Sequence, residues 1–249
     1  TIELTERLNR EIGLPVSVLV NPSTLHDGDL EAFHTAGADM ATVAIDAATP
    51  ELFEQHRGSG VTGGHRWDRY WQALEEAALV FGGGRIGAHL IAGLGETERE
   101  LVALIQKIHA RGGQTHLFSF YPEQGSKLRN SLPCPSGHCR RIQLARFLIG
   151  CNLAVDVQME FDELARLTGF GVKGSELDAI VSSGEPFMTS GCPGETMACA
   201  CNRPFGDGPP GDIRSFPFHL EMKDIQLVQK QLATYMEVST PLEAAAPQG

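Results

Sequence analysis

Short β-branched runs alternate with stretches of helical periodicity through the first two thirds of the chain, and this alternation restricts the fold more than any other feature. Residues 16–20 (VSVLV), 41–45 (ATVAI), 86–91 (IGAHLI) and 115–120 (THLFSF) read as strands, with a fifth near 155–159. Helical patterns fill the intervals at 29–36, 66–81, 96–111 and 140–149. A chain that alternates in this way builds a parallel sheet joined by right-handed crossovers, so the expected fold class is α/β. Two closures satisfy the pattern: an open doubly wound sheet or a β/α barrel. The residues directly after the strands favour the barrel. They are Asn21-Pro22, Asp46, Gly93-Leu94-Gly95-Glu96 and Tyr121-Pro122-Glu123, and barrel active sites are assembled from polar and glycine-rich turns at the C-terminal ends of strands.

Four or five strands are too few to close a barrel. The sequence also opens without Met, inside an amphipathic helix carrying Ile2, Leu4, Leu8 and Ile12 and ended by Gly13 and Pro15. Together these features predict that an N-terminal part with two more βα units precedes Thr1. The expected organisation is a partial barrel over 1–161 and an irregular segment rich in Gly, Pro, Cys and Ser over 162–220. A helix at 175–182 lies within that segment. A terminal helix follows within 221–238, with Ile225, Val228, Leu232 and Met236 on one face, and then a disordered tail at 239–249.

Composition excludes several classes. With 42% hydrophobic and 20% charged residues the chain is globular, neither fibrous nor wholly disordered. A formal charge of −11 argues against a broad phosphate-binding surface, so no nucleic-acid partner is expected. The sequence shows no apolar run of about 18 residues and no signal peptide, which predicts no membrane association and a cytoplasmic protein.

The cysteines are unevenly placed. Cys192, Cys199 and Cys201 crowd into CPGETMACAC, Cys134 and Cys139 flank His138 in CPSGHC, and Cys151 stands alone. Clustered thiols in a cytosolic chain suggest metal or redox chemistry, with zinc and iron–sulfur clusters both open. Cys134 and Cys139 read more readily as packing, as does Cys151. In IAGLGETE, the two glycines let backbone approach a ligand after a strand, and Thr97 or Glu96 starts the next helix. Asp46 ends an apolar strand as a candidate acceptor for a ribose hydroxyl, and Thr49-Pro50 starts a helix just after it. His65 and Arg66 open a further helix facing the same mouth. His89 and His116 lie within strands and read as interior histidines. Arg203 and Arg214 are candidates for binding a carboxylate or phosphate.

Taken together, VSVLVNP, AIDAATPELFEQHRG, HRWDRYW, HLIAGLGETE and FSFYPEQGS resemble the radical S-adenosylmethionine (SAM) enzymes of the biotin-synthase-like group. The segment EPFMTSGCPGETMACACNRPFGDGPPGDIRSFPF is similar to the C-terminal region of the two-component lipoyl synthases. The resemblance spans about residues 16–218 and implies a TIM-type radical SAM barrel with an irregular Cys-containing C-terminal segment. It implies SAM bound at Asp46, Arg66, Gly93, Gly95 and Glu96, although His89 stands where the family often has Gly. It also implies a [4Fe–4S] cluster that cleaves SAM and an auxiliary cluster on Cys192, Cys199 and Cys201 that donates sulfur. The activity implied is sulfur insertion into an octanoyl chain on a lipoyl-carrier protein. A second synthase component and a reductant such as ferredoxin or flavodoxin would be partners.

The C-x3-C-x2-C ligands of the SAM cluster are not among the 249 residues, in keeping with a missing N-terminal part. Two other functions fit the residues: a biotin-synthase-like radical SAM activity without sulfur insertion, and a non-catalytic accessory protein holding zinc or a structural cluster.

Overall fold

A computed structural model describes residues 1–191, 208–209 and 211–235. The elements run α1 (Ile2–Ile12), β1 (Ser17–Val20), α2 (Asp29–Thr35), β2 (Met40–Asp46), α3 (Pro50–His56), α4 (Trp67–Phe81) and β3 (Ile86–Ala92). They continue through α5 (Glu98–His109), β4 (Gly113–Ser119), α6 (Ser136–Gly150), β5 (Glu160–Phe161), β6 (Leu167–Gly169), α7 (Gly174–Ser183) and α8 (Met222–Leu232). The first four strands form one parallel sheet in the order β1-β2-β3-β4. The fold is α/β, as the alternation requires. Among the described residues no helix is long and apolar enough to cross a membrane.

Every crossover steps to the next strand in the same direction, so right-handed connections place the intervening helices on one face. Alternate strand residues feed that face. Val18, Ala41 and Ile86 are registered side by side, as are Val20, Val43 and Ala88, and all are buried. They join Leu74 and Ala77 of α4 and Leu101, Ile105 and Ile108 of α5 in a core that also takes in Phe187, Phe216 and Val228. The described parts of 162–235 therefore share the core of the sheet. The helices begin where their caps stand. Thr49 Oγ1 accepts the Leu52 amide at the start of α3 (3.3 Å), and Thr97 and Glu100 form a reciprocal capping box on α5.

The opposite face carries Leu19, Thr42, Ala44, Gly87, His89, His116 and Phe118, all of one strand parity. Leu19 remains 60% exposed, while Thr42 and His116 are buried. His89 and His116 meet edge to face at 5.5 Å between ring centroids. Gly87 makes room for them, because a Cβ there would lie 2.5 Å from His116 Nε2 and 2.9 Å from Thr42 Oγ1.

Two expectations need correction. The stretch 155–159 is not a strand but a 3-10 turn over Asp156–Gln158. The Gln158 side chain accepts the Val155 amide (3.0 Å) and Asp156 accepts the Val157 amide (2.8 Å), so local side-chain bonds replace a ladder. The short β5 that follows pairs antiparallel with β6. Beyond β4, the Leu117 amide donates to Ser190 Oγ (3.2 Å), and Met188 bridges Phe216. Cys151 is the second correction: it caps α6 exposed to solvent rather than packed in the core.

The helix expected at 140–149 starts earlier, at Ser136, and is buried on nearly every side. Its polar residues are satisfied from outside the helix. Arg140 Nη2 donates to the Ile213 carbonyl (2.7 Å) and Nε to Gln231 Oε1 (2.8 Å).

Candidate functional site

A run of polar side chains lines the C-terminal ends of β1 and β2. It starts at a break in β2, whose register with β3 shifts between Ala44 and Asp46. The Ala47 amide donates to the Ile45 carbonyl (2.8 Å), making Asp46 the centre of a three-residue turn. Its φ of 64° belongs to the strained, positive-φ kind. Strain held by a non-glycine residue at a strand end is a marker of functional sites. The turn aims the carboxylate at Arg57, just beyond the end of α3.

Arg57 gathers the cluster. Its Nη1 donates to the Asp46 carboxylate and to the Ala44 carbonyl (2.7 Å), and its Nη2 donates to the Tyr70 hydroxyl (3.3 Å). Asp46 and Arg57 are each about a quarter exposed, at 22% and 24% of the side chain, so both face the rim without being free in water. Burial raises the Asp46 carboxyl above its ordinary value, with the Arg57 charge opposing the rise. Tyr70, on α4, is buried, and its hydroxyl lies 2.9 Å from His65 Nδ1 and 3.3 Å from Asn21 Oδ1. Ser23 Oγ meets the same His65 nitrogen at 2.8 Å. One hydrogen-bonded chain thus runs Asp46, Arg57, Tyr70, His65, Ser23, with Asn21 beside it. Such a chain can offer hydrogen-bonding groups to the hydroxyls of a ligand.

The turn after β3 forms the next part of the rim. Gly93 and Gly95 have φ of 98° and 116°, a region where a side chain is strained. The Glu96 side chain is completely buried and folds back onto its own turn, accepting the amides of Gly93 (2.6 Å) and Leu94 (2.8 Å). The His56 ring reaches the Leu94 carbonyl (3.1 Å), tying α3 to the turn.

Behind Glu96 lies a buried ionic chain. His138 Nε2 is 3.2 Å from Glu96 Oε1 and its Nδ1 is 3.6 Å from Glu98 Oε1. Glu98 receives both Nε (2.9 Å) and Nη2 (2.6 Å) of Arg141 and the Leu167 amide (2.6 Å). Burial alone raises the Glu96 carboxyl, but the His138 hydrogen bond and charge, with the Gly93 amide, outweigh it and hold the group below its ordinary value. Burial likewise lowers His138, and the two carboxylates outweigh it in the other direction. Beside this chain the Cys134 thiol is pushed well up by its hydrogen bond with Cys139 and by burial.

The residues expected at the site are distributed as follows. Asp46, Gly93 and Gly95 lie at the rim. Glu96 is turned away from it and braces the turn. Arg66 is exposed at the N-cap of α4 and makes no side-chain cap bond. Arg214 is buried and pairs with Asp212 (2.6 Å) and the Cys134 carbonyl (2.8 Å), so it fastens the C-terminal segment to the loop before α6. Cys192, Cys199, Cys201 and Arg203 lie outside the described residues. His138 faces carboxylates rather than completing a zinc set with Cys134 and Cys139. Among the described residues no three His, Cys, Asp or Glu side chains gather to hold a metal.

The reading of the sequence missed Arg57 and Tyr70. Arg57 follows a helix end, where a solvated arginine is the ordinary expectation, and Tyr70 sits at an apolar helix position where only its ring reads as core. His65, which bonds the Tyr70 hydroxyl directly and Arg57 only through it, was the available signal. Compared with family models, curated proteins and solved structures, the chain finds no match.

Proposed function

We propose that this chain supplies the greater part of a radical SAM β/α barrel, of the lipoyl synthase kind, that inserts sulfur into an octanoyl chain on a carrier protein. The observation that carries this reading is the strand order. Four parallel strands follow one another without reversal, so among the described residues the sheet has no switch point of the kind that makes the ligand crevice in doubly wound folds. In a singly wound arrangement the ligand position falls at the C-terminal strand ends, where Asp46, Arg57, His65 and the glycine turn lie. The resemblance of GLGETE and AIDAATPELFEQHRG to family motifs supplies the rest of the assignment.

In this reading Asp46 accepts a ribose hydroxyl and Arg57 holds its carboxylate in place. The bare backbone of Gly93 and Gly95 lets the adenine approach, Glu96 fixes the turn, and Arg66 stands at the edge of the mouth. SAM, when bound, supplies the source of a carbon-centred radical. Cys192, Cys199 and Cys201 are proposed as ligands of an auxiliary cluster that supplies sulfur. The ligands of the SAM cluster are not among these residues, and the residues described here bind, orient and exclude water. The proposed protein works with a second synthase component and a ferredoxin- or flavodoxin-type reductant.

Calorimetric titration with SAM tests the site. Asp46→Asn keeps a side chain that tolerates positive φ but removes the charge, and is expected to weaken binding by about tenfold, the worth of one charge-assisted hydrogen bond. Unaltered affinity in Asp46→Asn would return Asp46 to a structural role.

A further inference from the structure

We propose that His138 is a positioning residue for the glycine turn: in its protonated form it keeps Glu96 seated on the Gly93 and Leu94 amides, and loss of that proton loosens the turn. Its bearing on ligand binding rests on the reading of this turn as part of the SAM site, whereas the link from His138 to the turn does not.

The geometry is that of a brace. Glu96 is the group that receives both amide protons of the turn, and His138 is the side chain behind it. Both are buried, so water does not substitute for either. His138 is itself fixed from the far side by Glu98, and Glu98 by Arg141, whose Nη1 also donates to the Thr234 carbonyl at the end of α8 (2.9 Å). A continuous chain of buried groups therefore joins the end of α8 to the rim. The Cys134 side chain, in the loop before α6, completes the packing, since a Cβ on Gly93 would lie 2.6 Å from Cys134 Cβ.

The groups that face His138 set the sign of its titration. They are Glu96 from the turn, Glu98 from α5, and Cys139 and Arg141 from α6, with Cys134 and Arg214 beyond Cys139. Gln231 of α8 and Thr234 just beyond it approach, and neither titrates. The carboxylates win over burial and raise His138 above the ordinary imidazole value. The brace is therefore complete below that ordinary value and is lost as pH rises through the raised one. Glu96 is held low, so it stays ionised across the same range. Loosening of the turn is expected on the alkaline side.

The test is a pH titration of the whole chain by NMR from about pH 6 to about pH 9.5, spanning the range over which imidazoles are found to shift. The His138 ring is expected to titrate above the ordinary imidazole value, with the Gly93 and Leu94 amide signals moving at the same midpoint. In His138→Gln, which keeps a donor but cannot titrate, that movement should vanish. Flat amide signals in the wild-type chain while His138 titrates, or the same transition in His138→Gln, would overturn the proposal. Should that variant not fold, the wild-type co-titration decides alone. SAM affinity is expected to fall by about tenfold through the same midpoint, the coupling that one pKa unit represents. Amides that co-titrate while SAM affinity stays flat would uphold the brace and count against the turn as a SAM site.

Discussion

Replacing Arg141 by Met is expected to lower the unfolding free energy by about 3–5 kcal/mol, the loss typical of a buried ion pair deprived of one partner. Glu98 is 1% exposed and Arg141 3%, so neither charge can recover its hydration. The guanidinium meets the carboxylate with two nitrogens, and the carboxylate also receives the Leu167 amide. Without Arg141, Glu98 keeps that amide and the neighbouring His138 but loses its main counter-charge. The carbonyls of Leu232 and Thr234 lose a donor at the same time, so α8 is loosened as well. Urea denaturation checks this, and pairing Arg141→Met with Glu98→Leu should regain part of the loss, because the pair as a whole costs desolvation that an apolar pair does not. A loss below about 1 kcal/mol for the single variant, the range of exposed pairs, would show that the pair is solvated in the working protein.

Gly93→Ala is expected to destabilise by about 2–5 kcal/mol, combining about 1–2 kcal/mol for a side chain in the left-handed region with about 1–3 kcal/mol for overpacking. The new methyl would sit 2.6 Å from Cys134 Cβ and 2.9 Å from its Cα, and the second of these is backbone that cannot swing aside. Gly95→Ala is the internal control. Its φ is equally unfavourable, but the nearest atom is Leu52 Cδ2 at 3.4 Å, an ordinary contact. Gly93→Ala should therefore be the more damaging of the two by roughly the overpacking cost. Equal losses measured by chemical denaturation would mean that backbone conformation alone governs the turn.

How far the sequence foretells this molecule depends on the range of the interaction concerned. The four parallel strands and the capped starts of α3 and α5 are legible because apolar runs and Thr caps act locally. Thr49 and Thr97 both bond where their spacing places them. The false strand at 155–159 has the right residue types, but Asp156 and Gln158 bond their own backbone, an outcome that periodicity does not record. α6 begins earlier than its pattern because Arg140, Arg141, His138 and Gln143 are buried against partners distant in sequence. The same cause hides the role of Glu96. Beside a glycine turn its carboxylate reads as a group offered to a ligand, whereas His138, on α6, draws it inward. Asp46 was visible as a strand-end carboxylate, but its turn and its tie to Arg57 arise from a break in register with β3.

On the proposed reading, the rim at the ends of β1, β2 and β3 holds the adenosyl part of SAM. The most direct measurement is backbone amide chemical-shift mapping of the chain as SAM is added. Saturable shifts centred on Asn21, Asp46, Arg57 and residues 93–96 are expected. No shift at saturating SAM, or shifts confined to α6 and α8, would contradict it.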